Sequence, residues 1–374
     1  MAEKIATMIA AMSTWSANTS QKFQFCALPT AAPMAAATMP TSIVRKQPRG
    51  WLFGTTIRAT APMMSPIKIA EKKPLNCMGD ILAYRRTVVG KGSQKDPRAV
   101  VDAVAFGPSD VLADRDPRDT STAPGGRDEA EAATALLVPE LTSMQERLYA
   151  EGVGGGQRSL LLLLQGMDTS GKDGTVRRVV GAMNPAGVRI TSFKKPTAEE
   201  LAHDFLWRVD NALPEPGTVG VFNRSHYEDV LVVRVHDLVP ESEWSTRYDR
   251  INEFEHRVVD AGTHIVKVML HISKDEQKKR LGDRLADPSK YWKYNAGDLT
   301  ERAFWDDYQA AYQDALARCS TDSAPWYVVP ADHKWYRDWV VANLLVCAMR
   351  DLNPVYPPAD FDVAEQRRLV AALD

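Results

Sequence analysis

The sequence predicts an α/β fold: a three-layer sandwich in which a central parallel sheet of about five strands lies between helices, with a helical lid at one edge. Three observations carry this. Leu160–Leu164 is an unbroken apolar run of strand length, as expected of a central parallel strand buried on both faces. Directly after it, Gly166-Met167-Asp168-Thr169-Ser170-Gly171-Lys172 fits the GxxxxGK core of a phosphate-binding loop. Strand-length apolar segments then alternate with helical patterns down to about residue 351. At 374 residues, 44% hydrophobic and 25% charged, the chain suits one large domain with appendages.

Residues 1–62 are rich in Ala, Ser, Thr, Met and Pro, and Glu3 is the only acidic residue among the first sixty. That composition cannot bury enough apolar surface to fold alone, so a disordered or targeting-like extension without chemistry is expected. A transit peptide fits less well than a cytoplasmic location, because arginine is sparse and helical amphipathicity is lacking. Residues 63–150 read as an arm, loop-rich through Asp114–Asp119 and Pro124-Gly125-Gly126. The arm ends in a helix, Asp128 to Glu151, with Ala133, Leu137, Leu141, Met144 and Leu148 on one face. Residues 151–355 form the main domain, and residues 356–374 a tail.

Within the main domain the loop runs into a helix from Thr175 to Met183. Gly187–Phe193 alternates as a strand and delivers Lys194 and Lys195 to its C-terminal end, where open parallel sheets collect ligands. Thr197 with Glu200 makes a capping box for a helix through Asn211. Thr218–Phe222 is the next strand, followed by a helix from about Arg247 to Ala261 and a strand from His264 to Ile272. Ser273 with Glu276 caps a basic helix that carries Arg280 and Arg284 one turn apart. With the loop Asp287–Lys293, which includes Lys290 and Lys293, this segment (about 274–298) reads as a lid that closes over phosphates. Asp298 with Glu301 is expected to cap a helix whose stripe of Phe304, Tyr308 and Tyr312 is core. Trp326–Val329 is a fifth strand, and Asp332 is expected to cap the last long helix.

The candidate chemistry gathers at one sheet edge. Gly166, Ser170, Gly171, Gly174 and Thr175 would present backbone N–H groups and hydroxyls to phosphate, and Lys172 a mobile cation. The usual loop continues with Ser or Thr as a magnesium ligand, but Asp173 follows here, so Asp168 becomes the carboxylate available to Mg2+. At the end of the third strand, Asn223 stands where such enzymes usually place an acid. Glu228 and Asp229 follow a few residues on, and Arg224 is placed to reach a phosphate with its planar fork. His226 reads as a ring hydrogen-bonded in the site wall.

Lys and Arg number 46 against 48 Asp and Glu, a net charge of −2, so a polyanion must be met by a local basic surface. The cysteines Cys26, Cys77, Cys319 and Cys347 are far apart and show no metal spacing, as for reduced thiols. No apolar run has the length of a membrane span, and no nucleic-acid-binding motif accompanies the basic lid.

QGMDTSGKDGT at 165–175, VFNRSHYEDVLVVRVH at 221–236, HISKDEQKKRLGDRLADPSKYWK at 271–293 and APWYVVPADHKWYRD at 324–338 together resemble the polyphosphate kinase 2 family. The resemblance covers roughly residues 150–355. It implies a P-loop kinase fold and magnesium-assisted, reversible phosphoryl transfer between inorganic polyphosphate and a nucleotide. Carried over, it makes Asp168 a magnesium ligand, Lys172 and Arg224 phosphate ligands, and Arg280, Arg284, Lys290 and Lys293 lid cations. Asn223 with Glu228 is the pair of the branch called class III, which accepts nucleoside mono- and diphosphates, and it makes Glu228 a second metal ligand. Adenine nucleotides, with guanine nucleotides as a second candidate, and a homo-oligomer (dimer or tetramer) are the expected partners. The alternatives are an ATP-dependent nucleoside monophosphate kinase and a non-catalytic nucleotide-binding partner protein.

Overall fold

The structure, a computed structural model, describes residues 96–373. The expectations for residues 1–62, for the start of the arm, and for Cys26 and Cys77 lie outside the described residues.

In chain order the main elements are α1 (Pro97–Val104), β1 (Ala105–Phe106), α2 (Arg127–Val153), β2 (Ser159–Gln165), α3 (Lys172–Val179), β3 (Val188–Ser192) and β4 (Val219–Asn223). Then come α4 (Arg247–Asp260), β5 (Thr263–His271), α5 (Lys274–Ala286), α6 (Trp305–Cys319), β6 (Trp326–Pro330) and α7 (Lys334–Leu352). The six strands form one sheet in the order β1-β6-β5-β2-β4-β3, parallel throughout except for the antiparallel β1–β6 pair.

β2 is central and buried at every residue. Leu160, Leu162 and Leu164 face the layer that holds α2 and α7, while Leu161 and Leu163 face the layer that holds α4 and α6. Alternation of polarity would have no use in such a strand, which is why its sequence is a run of leucines. β4 and β5 flank β2 in register, so the C-terminal ends of all three open on the same edge, next to the phosphate loop.

Four local expectations are corrected. The segment expected to be loop adds an antiparallel strand, β1, paired through Ala105 and Tyr327, to the expected parallel strands β2 to β6. That segment also holds α1, capped by Asp96 and started by Pro97; Val100, Val101 and Val104 join the core around α7. The helix expected from Thr197 to Asn211 is two short ones, Ala198–Ala202 and Trp207–Asp210, although the Thr197/Glu200 capping box forms. Asp298 caps nothing; it is buried, with Glu301, inside the short helix Gly297–Glu301. Asp332 does not cap α7 but instead accepts from the N–H (2.8 Å) and hydroxyl (2.6 Å) of Ser273 at the start of α5. For Asp298 and Asp332 a group outside the local segment, Arg284 and Ser273 respectively, takes the carboxylate instead.

Among the described residues no helix is long and apolar enough to cross a membrane. Cys319 and Cys347 are buried and unbridged.

Candidate active site

The loop between β2 and α3 needs unusual backbone at several points. Gly166 (φ 141°) and Gly171 (φ 110°) sit in the left-handed region that favours glycine, and Thr169 adopts φ 66° despite its branched side chain. Gly171 also makes room for Arg337: a Cβ there would collide with Nη1, and the guanidinium would have to shift. α3 begins at Lys172, three residues earlier than its sequence pattern suggests, so its N-terminal dipole points into the loop. The Lys172 ammonium donates to the carbonyls of Gly166 (2.6 Å) and Met167 (3.5 Å). Burial, and then the charge of Arg224, push the Lys172 pKa below its ordinary value, against the pull of Asp168 and Glu228.

Beneath the loop lie two buried guanidiniums. Arg280 was expected on the lid, yet it is only 5% exposed. It donates to the carbonyls of Thr169 (2.9 Å), Ser170 (3.0 Å), Ala331 (2.6 Å) and Asp332 (2.9 Å), and to Glu276 (2.9 Å). Arg337 reaches the same floor from α7, donating to the Ser170 carbonyl (3.3 Å) and, through Nε and Nη2, to Asp338 (2.9 and 2.6 Å). Thr175, expected among the phosphate ligands, is buried with its hydroxyl turned to Asp338 (3.5 Å). The Ser170 hydroxyl is buried with no hydrogen-bond partner.

At the end of β4, Arg224 takes φ 66° and donates to Asp168 at 3.0 Å. Burial alone would lower its pKa, but the charges of Asp168 and Glu228 outweigh burial and hold it above its ordinary value. Asn223 donates to Asp173 at 2.7 Å, which ties the end of β4 to the start of α3. Asp229 does not face the phosphate loop but accepts from Arg247 at 3.0 Å; burial raises its pKa to about 6. His226, expected in the site wall, is instead buried away from the cavity, with Nε2 on Glu255 at 3.1 Å.

These parts border a cavity of about 580 Å³. Its lining includes the expected Asp168, Gly171, Lys172, Gly174, Lys194, Lys195, Arg224, Arg280, Arg284, Lys290 and Lys293. Gly166, Ser170, Thr175 and Glu228 do not line it. Arg177, Arg178, Lys334 and Arg337 also line it and were not among the expected residues. Twelve Lys and Arg side chains face the cavity against four Asp, in a chain whose net charge is −2. Arg284 spans the lid, donating to the Lys293 carbonyl (2.8 Å) and to Asp298 (3.1 Å). Lys290 pairs with Asp287 (2.8 Å), and Lys293 lies over the Trp292 ring (4.8 Å). No group of three or more His, Cys, Asp or Glu among the described residues is placed to hold a metal ion.

Arg337 could not be found by spacing. It lies in the same α7 segment as buried Trp339 and Val340, and only the fold brings it under a loop 166 residues earlier in the chain.

The family model described as polyphosphate kinase 2 matches residues 125–355. An AMP/ADP-polyphosphate phosphotransferase of Meiothermus ruber is 52% identical over 242 residues, covering 65% of this chain and 89% of that protein. An ADP-polyphosphate phosphotransferase of Rhodopseudomonas palustris is 45% identical, covering 59% of this chain and 79% of that protein. The crystal structure of polyphosphate kinase 2 from Arthrobacter aurescens superposes with a TM-score of 0.72 at 51% identity, over 75% of this chain and 98% of that one.

Proposed function

The chain belongs to the polyphosphate kinase 2 family, and from that premise we propose a polyphosphate:nucleotide phosphotransferase that moves a phosphoryl group between inorganic polyphosphate and AMP or ADP. The observation that carries this reading is the cavity with twelve cations against four carboxylates, walled by a phosphate loop, in a chain that is slightly acidic overall. Such a cleft concentrates a polyanion that the global field would not attract.

In-line transfer needs aligned phosphates, charge neutralisation and exclusion of water, and no covalent enzyme intermediate. The N–H groups at the start of α3, from Gly171 to Gly174, and the Lys172 ammonium grip the transferred phosphoryl group. Arg224 supplies a fork whose orientation Asp168 sets. Lys194, Lys195, Arg284, Lys290 and Lys293 track the remaining phosphates, while Arg280 supports the loop from below and acts on phosphate through it. Residues 151–355 are the phosphotransferase domain in this reading, with α2 packed on it.

The donor set fits magnesium. Asp168 and Glu228 both act electrostatically on Lys172 and Arg224, so their carboxylates share one locality. Two carboxylates, with the rest of the shell from phosphate and water, are what Mg2+ prefers over an all-protein cage. When bound, the ion neutralises charge on the phosphates. Adenine nucleotides, with guanine nucleotides second, are the proposed acceptors, and a cytoplasmic homo-oligomer is the proposed form.

The test mixes the protein, Mg2+ and polyphosphate with AMP or ADP and measures ADP and ATP formed. Product without polyphosphate, from ATP and AMP, marks an ATP-dependent monophosphate kinase; no product in either mixture marks a non-catalytic binding protein. Glu228 sharpens the acceptor question. AMP presents its phosphate one unit further from the lid than ADP does, and a carboxylate at 228 can order the water or metal that fills the gap. Glu228→Asn is expected to keep ADP phosphorylation and lose most AMP phosphorylation. Equal losses with both acceptors would make Glu228 a general part of the metal site.

A further inference from the structure

β5 carries a charged residue in mid-strand: Lys267, with no solvent exposure, lies between Val266 and Val268 in the centre of the sheet. Taking an ammonium out of water costs several kcal/mol unless every donor is met. Here all three are. Lys267 donates to Glu255 Oε2 (2.5 Å), the Cys319 carbonyl (2.6 Å) and the Tyr227 hydroxyl (3.0 Å). The other Glu255 oxygen accepts from the Tyr227 hydroxyl (2.9 Å) and from His226 Nε2 (3.1 Å). Glu255, on α4, is as buried as its partners; burial works to raise its pKa, but the Lys267 charge and the His226 bond outweigh it and hold the carboxyl below its ordinary value.

This network does not touch the cavity, so it is not part of the phosphate-handling set. It ends instead on two consecutive residues, His226 and Tyr227, of the turn that follows β4. Two residues before Tyr227, the Ser225 hydroxyl accepts from the Tyr227 N–H (3.2 Å) and from Gln165 Nε2 (3.1 Å), joining the turn to the end of β2. Arg224 comes immediately before, in a left-handed conformation that a non-glycine residue keeps only when its surroundings fix it. Glu228 comes immediately after.

We infer that Glu255 and Lys267, through His226 and Tyr227, are positioning residues for Arg224 and Glu228. This rests on the phosphotransferase reading of the cavity and extends it to a buried layer. A turn pinned between its two reacting residues, at Ser225, His226 and Tyr227, cannot relax to let Arg224 straighten toward an ordinary backbone conformation. A displacement of about 1 Å in such a group costs on the order of a hundredfold in rate. Besides the Cys319 carbonyl on α6, the network's contacts fall on the two residues that lie between Ser225 and Glu228. Replacing such a buried ion pair by apolar groups is often neutral or stabilising, so its retention calls for another explanation.

The test is a double-mutant cycle in kcat, with ADP and polyphosphate as substrates. Tyr227→Phe removes one hydroxyl and no volume, and Glu255→Gln keeps the acceptor oxygen while removing the charge. Each is made in the wild type and in Arg224→Lys, which loses the fork but keeps the charge. In the wild type, each variant is expected to lower kcat about tenfold with KM for ADP within about twofold. In Arg224→Lys the same change is expected to cost less than about threefold, because the group being positioned is already impaired. An equal loss in both backgrounds, or no loss in the folded single variants, overturns the proposal. So does failure of both variants to fold, which would make the network a stability element. A wild type without polyphosphate-dependent product would fail the functional reading itself, separately from these outcomes.

Discussion

Arg280 and Arg337, beneath the phosphate loop, are 5% and 2% exposed and donate to backbone carbonyls of the loop and its neighbours. Lys194, Lys290 and Lys334, around the same cavity, are exposed to solvent. All five carry one positive charge, but burial separates what that charge can do. A buried guanidinium must saturate its planar fork, and the carbonyls it saturates are then held where they are. With the Thr169 and Ser170 carbonyls held from below, and the Gly166 and Ser170 N–H groups given to the Tyr312 hydroxyl (3.1 Å) and the Met167 carbonyl (3.1 Å), the loop backbone is fixed in place. An exposed ammonium is hydrated, screened and mobile; it adds to the attraction for a chain of phosphates without fixing a geometry. On the proposed function, the floor is expected to govern rate, and the rim to govern how much polyphosphate is held and at what salt concentration.

The largest effect is expected where the two populations meet. Lys172 is half-buried, and its ammonium is bonded to loop carbonyls while facing the cavity. Lys172→Ala is expected to lower kcat by about a thousandfold with a melting temperature close to wild type. Steady-state rates and a thermal melt check it; a near-normal rate in folded protein would remove the loop from the mechanism.

Next comes the floor. Arg337→Met leaves Asp338 as a buried carboxylate without its main partner, and the Ser170 carbonyl loses a donor. Breaking a buried pair in this way typically costs 3–5 kcal/mol, or a fall of roughly ten degrees in melting temperature. A hundredfold loss of kcat, on the order expected for a displaced loop, should accompany it. Adding Asp338→Leu removes the stranded charge, and is expected to restore most of the melting temperature and none of the rate. Recovery of both together would show that Arg337 matters only for stability.

The rim should respond differently. Lys290→Ala with Lys293→Ala is expected to raise KM for polyphosphate about tenfold at low salt, with kcat and melting temperature nearly unchanged. Titrating salt upward should shrink the gap between variant and wild type. A kcat loss that persists at high salt would place these lysines with the floor.

The smallest effect concerns Asp298, buried at the end of the lid segment and bonded to Arg284 at 3.1 Å. Burial, and then the charge of Asp168, raise its pKa from 3.8 to about 7. The folded state therefore prefers the protonated acid, and wild-type stability declines as pH rises from about 4 to about 7. Asp298→Asn is expected to melt at a higher temperature than wild type at pH 8, and with little difference near pH 4. A constant difference across that range would mean that Asp298 stays ionised in the folded protein.

Much of this protein was legible without coordinates. β2, the phosphate loop, the Asn223–Asp229 turn, and the Lys194–Lys195 pair at the end of β3 are local signals: a run of leucines, glycine spacing, a strand followed by polar residues. The sequence alone also determined that an acidic chain must gather its cations locally to meet a polyanion. Only the tertiary structure decided which cations those are and what they touch. It moved Arg280 from the lid to the floor, brought Arg337 from α7 to within hydrogen-bond reach of Ser170, and turned Thr175 away from the cavity. It redirected Asp332 to Ser273 and buried Lys267 against Glu255. The physical reason is common to all of these. Periodicity and spacing report which face of an element a residue occupies, whereas a polar group's partner is fixed by competition among all groups that the fold brings within 3 Å, most of them distant in sequence.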